Sequence, residues 1–120
     1  MNNQEFGKQL EERTRIFAIR VLKLSASMKY SFENNVIRNQ ISKSGTSIGA
    51  NYREANRARS KADFIHKIKI CESEANETIY WLEIITELNC LNNVQIDPIL
   101  NEAKELLALF TSIGIKLKCP

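Results

Sequence analysis

Apolar residues recur along this chain at helical spacing, in four stretches separated by short polar breaks. Leu10, Phe17, Val21, Leu24 and Met28 follow one another every three to four residues or a multiple of that, with Glu12, Arg13, Arg20 and Lys23 between them. This is the stripe of an amphipathic helix, expected from about Gln9 to Lys29. After the polar stretch Tyr30 to Asn34, the positions Ile37, Ile41, Ser44, Ile48, Tyr52 and Ala55 form a second series that ends near the basic run NRARSK. Ser60 followed by Asp63 resembles a capping box with Asp in place of the preferred Glu, and predicts a helix start. The series Phe64, Ile68, Cys71, Ala75, Ile79, Leu82, Ile85 and Leu88 follows. It carries a third helix from about Lys61 to Leu91, about 45 Å long. Asn92 and Asn93 read as its stop. Asp97 as N-cap and Pro98 as first helical residue then open a fourth helix, through Leu100, Ala103, Leu107, Phe110, Gly114 and Leu117 to about Lys118.

Four amphipathic helices joined by short links pack as antiparallel neighbours, so the expected fold is all-α, an antiparallel up-down four-helix bundle. The length of 120 residues suits one domain over 1–120. No internal repeat or long linker divides it.

The middle of the second helix, ISKSGTSIGAN from Ile41 to Asn51, is a poor helix former. Each interior glycine costs about 1 kcal/mol relative to alanine, so tertiary packing has to hold it helical. Gly45 and Gly49, four apart, share a face and would admit a close neighbouring helix. A break near Gly45 is the competing reading; the apolar register on both sides favours continuity.

Composition narrows the function. With 43% hydrophobic and 26% charged residues the chain reads as folded and soluble. No run of about eighteen apolar residues suggests a membrane span, and the polar opening MNNQEFGKQLEER does not read as a secretory signal, so the cytoplasm is the expected compartment. Cys71, Cys90 and Cys119 have no CxxC spacing and are expected as reduced, unreactive thiols. The net charge of +3 hides an asymmetry: Lys and Arg outnumber Asp and Glu by 14 to 6 up to Ile70, then fall short by 3 to 8 from Cys71 onward. Either an electropositive face for an acidic partner or opposite charges meeting between packed helices or subunits would account for it.

Conventional catalytic chemistry finds little to stand on. His66 is the only histidine, no Glu-x-x-His pair exists, and no nucleophile elbow, phosphate loop or dinucleotide fingerprint occurs. No catalytic residue, metal or cofactor is assigned. Among the helix-three carboxylates Glu72, Glu74, Glu77, Glu83 and Glu87, the pair Glu74 and Glu77, one turn apart, is a candidate for metal-assisted hydrolysis, and runs of this kind are commonly solvated faces. Glu74, near Ala75 and Trp81, is a candidate for a polar network at a helix seam with Asn51 and Glu54. The other candidate is the basic tract Arg53, Arg57, Arg59, Lys61, Lys67 and Lys69 around the turn between helices two and three, offset locally by Glu54 and Asp63. Such a cluster neutralises phosphates without reading sequence, because no recognition motif accompanies it. A merely solubilising surface is the plainer alternative.

The segment QISKSGTSIGANYREANRARSKADF from Gln40 to Phe64, then Glu74, Glu77 and WLEIITELNCL, resembles the bacterial four-helix bundle proteins encoded within intervening sequences of 23S ribosomal RNA genes. The most specific part is Ser47-Ile48-x-x-Asn51-x-x-Glu54, with Arg59-Ser60-Lys61 and Asp63-Phe64 after it. Gly49 stands where many members carry proline or alanine. The resemblance implies a homopentameric ring of bundles, similar to the accessory variability determinant of diversity-generating retroelements, which associates with a reverse transcriptase and binds nucleic acid through basic surfaces. Carried over, Asn51 and Glu54 are structural and the basic tract functional, with no reaction implied. The expected partners are other copies of the chain and RNA or DNA. A protein-protein scaffold without nucleic acid is the alternative, and no membrane is expected.

Overall fold

A computed structural model of the chain describes residues 3–118. It contains α1 (Asn3–Ala26), α2 (Phe32–Ala55), α3 (Lys61–Glu87) and α4 (Asn93–Lys118), linked by residues 27–31, 56–60 and 88–92. Such short links turn each helix back along its predecessor, giving the antiparallel up-down bundle, 47 × 25 × 21 Å in extent. Helices adjacent in sequence pack along their lengths, while α4 closes against α1 over a narrower seam.

The predicted stripes supply most of the core. The exceptions include Leu88, which is exposed past the end of α3, and α4, where Ile96, Ile99 and Leu106 are buried while Leu100, Leu107, Gly114 and Leu117 are only half-buried. Phe17, Val21, Ile41, Ile48, Ile68, Leu82, Ile85, Leu106 and Phe110 are all essentially inaccessible. Full burial of each such side chain contributes about 1.5–3 kcal/mol. The Tyr52 and Phe110 rings meet across the bundle at 5.6 Å.

The segment around Gly45 is continuous helix, and tertiary packing supplies what local propensity lacks. A Cβ on Gly45 would lie 2.7 Å from Val21 Cγ1, and one on Gly49 would lie 3.2 Å from the Thr14 carbonyl carbon. The two glycines are therefore the floor on which α1 rests. Polar groups at this depth are satisfied locally. Thr14 donates to the Leu10 carbonyl at 2.9 Å, and the Ser44 and Thr78 hydroxyls meet at 3.0 Å across the α2–α3 seam.

Helix ends differ from the sequence expectation. α1 starts at Asn3 rather than Gln9 and stops at Ala26 rather than Lys29. Gly7 is buried, so the extra turns at its start are packed rather than frayed. The polar stretch after Tyr30 is mostly the first turn of α2, because the Ser31 hydroxyl accepts the Asn34 N–H at 3.0 Å and caps it. Ser60 caps α3 as expected, accepting the Asp63 N–H at 3.0 Å. α3 ends at Glu87, short of Leu91: Asn89 adopts φ 55°, and the Cys90 and Asn89 N–H groups return to the Ile85 and Thr86 carbonyls. This is a Schellman stop with Asn in the left-handed position.

Asp97 and Pro98 do not start α4. Asn92 caps it, accepting the Gln95 N–H at 2.9 Å, and Pro98 lies inside the helix. Ile96, fully buried, pins the additional turn to the core. Pro98 has no N–H to donate to the carbonyl of exposed Val94.

Candidate nucleic-acid interface

The α2–α3 turn lies at the end of the bundle opposite the other two turns, where α2 leaves the core carrying basic residues. Arg53 is in the last turn of α2 and Arg57 is two residues past its end, and both are exposed. Arg59 is in the turn, directly before the cap residue Ser60. Arg53, Arg57, Arg59 and Lys67 line one shallow depression of about 310 Å³ together with Glu54 and Asp63. Lys67 reaches Glu54 across the α2–α3 seam at 3.7 Å. Arg59, Lys61 and Lys69 make no hydrogen bond or ion pair among the described residues, and all three are exposed. Lys69 does not join the depression; two residues beyond Lys67, it points about 200° around α3. The tract is thus four cations in one hollow, Lys61 at the helix start beside it, and Lys69 on another side.

One carboxylate at this site was not anticipated from the local sequence. Glu11, from α1, brings Oε1 to 3.7 Å from Arg53 Nε and 4.0 Å from Arg57 Nη1. Its Oε2 accepts the Asn56 amide at 2.8 Å. Burial pushes the Tyr52 phenol up, opposed by its bond with Asn56, while the Glu11 charge nearby adds to the rise. Tyr52, Asn56 and Glu11 therefore form a polar chain from the core edge to the two arginines. The usable signal was the hairpin register. In an antiparallel pair, residues in contact have numbers that add to nearly the same total. Gly7 with Asn56, Thr14 with Gly49 and Glu11 with Arg53 all obey it.

Asn51, Glu54 and Glu74 are not joined to one another by any hydrogen bond or ion pair among the described residues. Asn51 donates to its own helix at the Ser47 carbonyl, 2.8 Å away. Glu54 is exposed and faces Lys67. Glu74 is half-buried, and its backbone carbonyl receives the Thr78 hydroxyl at 2.8 Å. The polar contact that bridges α2 and α3 in the core is Ser44 with Thr78 instead. Glu77 is engaged by the Trp81 indole N–H at 3.2 Å. Among the described residues, no group of three or more His, Cys, Asp or Glu side chains is placed to hold a metal ion, and no helix is long and apolar enough to cross a membrane. Cys71 is buried and Cys90 half-buried, both as free thiols, and burial pushes the Cys71 thiol up to about 12. Cys119 lies outside the described residues.

With this geometry in hand, the chain was compared with known proteins. A family model described as 23S rRNA-intervening sequence protein matches residues 9–112. A crystal structure of a protein of unknown function from the S23 ribosomal protein family of Bacteroides thetaiotaomicron VPI-5482 superposes with a TM-score of 0.78 at 39% identity, covering 87% of this chain and 96% of that one. No curated protein matches.

Proposed function

Because the chain belongs to the 23S rRNA-intervening sequence protein family, we propose that it is a non-enzymatic cytoplasmic bundle that assembles with copies of itself and binds RNA or DNA through phosphates, with little regard to sequence. The observation that carries this reading is the hollow at the α2–α3 end, where Arg53, Arg57, Arg59 and Lys67 converge from two helices and a turn. Clustered guanidinium groups suit phosphate, whose paired oxygens match their forked donors. No aromatic side chain lines the hollow, so bases have nothing to stack on there, and contacts to backbone dominate.

The assembly is supported by two unpartnered outer surfaces. α1 exposes Ile16, Ile19 and Leu22 along its outer side, and α3 exposes Tyr80 and Leu88 beside half-buried Trp81 and Ile84. Exposed Arg15 and Lys23 accompany the first surface, Glu83 and Glu87 the second. α1 and α3 run parallel, and Lys23 on the first surface and Glu83 and Glu87 on the second carry opposite charges, so one surface of a copy suits the other surface of the next. The resemblance puts the number of copies at five. Native mass spectrometry tests this. A pentamer that Ile19→Glu converts to monomer is the expected result, and a monomeric parent protein overturns the assembly.

Nucleic-acid binding is tested by fluorescence anisotropy with a structured RNA and a duplex DNA across salt concentrations. The expected result is binding to both, with the logarithm of affinity falling linearly with the logarithm of salt. Absence of binding at low salt overturns the reading.

A further inference from the structure

Two arginine–carboxylate arrangements in this molecule differ in kind. Arg13 grips Glu102 with two bonds of 2.7 Å each, the geometry of a committed bidentate pair. Glu11 lies 3.7 and 4.0 Å from Arg53 and Arg57, too far for a direct hydrogen bond to either. Its position is set instead by Asn56, at 2.8 Å, and by the helix that carries it. The Glu11 side chain retains only 24% exposure, whereas both arginines remain more than half exposed. A partly buried anion held by Asn56 thus faces two exposed cations without a direct hydrogen bond to either, and Arg57 donates instead to the Arg53 carbonyl at 3.2 Å.

We propose that Glu11 holds the place of a phosphate between Arg53 and Arg57, so that a bound phosphodiester competes with it for the two guanidinium groups. This rests on the reading of the basic end as a nucleic-acid surface. Glu11 is then a tuning residue that weakens binding. It keeps the arginines folded over α1 in the free protein and opposes the approach of a second anion. Lys67 with Glu54 repeats the arrangement more loosely on the other side of the hollow, where Glu54 is exposed and its charge is better screened.

The test compares the parent protein with Glu11→Gln in the same anisotropy titrations. Glutamine keeps an oxygen for the Asn56 amide and removes the charge. Affinity for both nucleic acids is expected to rise about fivefold, as removal of one nearby like charge implies. The salt dependence should steepen by about 0.7–0.9 as a further phosphate is neutralised. Glu12→Gln changes the net charge equally. Its carboxylate is held by Arg15 at 2.7 Å and is well exposed, so its effect should be smaller. In a protein already carrying Arg53→Gln and Arg57→Gln, Glu11→Gln should raise affinity much less than it does in the parent protein, leaving only the direct repulsion of the phosphate. Glu11→Ala serves in place of the glutamine protein if that protein unfolds. Parent binding with unchanged or weaker binding by Glu11→Gln, or an equal gain from Glu12→Gln, overturns the role of Glu11 alone. Failure of both proteins to bind overturns the nucleic-acid reading and this inference with it.

Discussion

The two halves of the stretch from Gln40 to Phe64 answer to different physics. From Ile41 to Asn51 the helix is built mostly of small and β-branched residues, and its glycines are in contact with α1. From Arg53 onward the outward side chains of the same helix and the turn after it are charged, exposed and only loosely paired. A change in the first half alters how closely two helices approach, and a change in the second alters the field around one end. The segment that carries the resemblance to the family runs through both. A substitution there therefore affects either stability or binding, according to which half it falls in.

The strongest challenge to this division is Gly45→Leu. A side chain where Val21 already stands at 2.7 Å from a Cβ forces α1 outward, and overpacking of this kind costs about 2–3 kcal/mol. The urea midpoint should fall, while any protein still folded binds nucleic acid like the parent. Next is the double change Arg57→Glu with Arg59→Glu, expected to weaken nucleic-acid binding by at least about tenfold and to leave the urea midpoint nearly unchanged. A large stability loss in that protein would break the division. Ser60→Ala is the exception within the second half, because Ser60 caps α3. Loss of the cap on Asp63 should cost about 1 kcal/mol and fray the start of α3, so it alone should reduce both stability and binding. The smallest effect isolates propensity from packing. A Cβ on Gly114 in α4 meets nothing within 4 Å, so Gly114→Ala should stabilise by about 0.5–1 kcal/mol where Gly45→Leu destabilises.

The site was partly legible in the sequence. The run from Arg53 to Lys69 is local, and charges close in sequence at a helix–turn–helix junction stay close in space. The divergence of Lys69 from Lys67 follows from helical spacing alone, whereas Glu11 enters from a helix more than forty residues earlier and was not legible from the run itself. The proposed meeting of Asn51, Glu54 and Glu74 depended on the rotation of α2 against α3. The packed structure gives the core polar position at that seam to Ser44 and Thr78.

Helix boundaries show the same limit. The Ser60 cap was readable because its partner is three residues away. The start of α4 was misread because Asp97–Pro98 is a strong local signal that the burial of Ile96 overrides.

By itself, the sequence determined the number of helices, the apolar faces of the first three, the up-down order imposed by short links, and the basic character of one turn. All of these follow from periodicity and neighbouring residues. Tertiary structure decided that a glycine-bearing segment stays helical, because Val21 and Thr14 need the space that side chains would take. It also decided that a carboxylate from α1 lies among the arginines at the end of α2, because only the register between packed helices brings residues 11, 53 and 57 together.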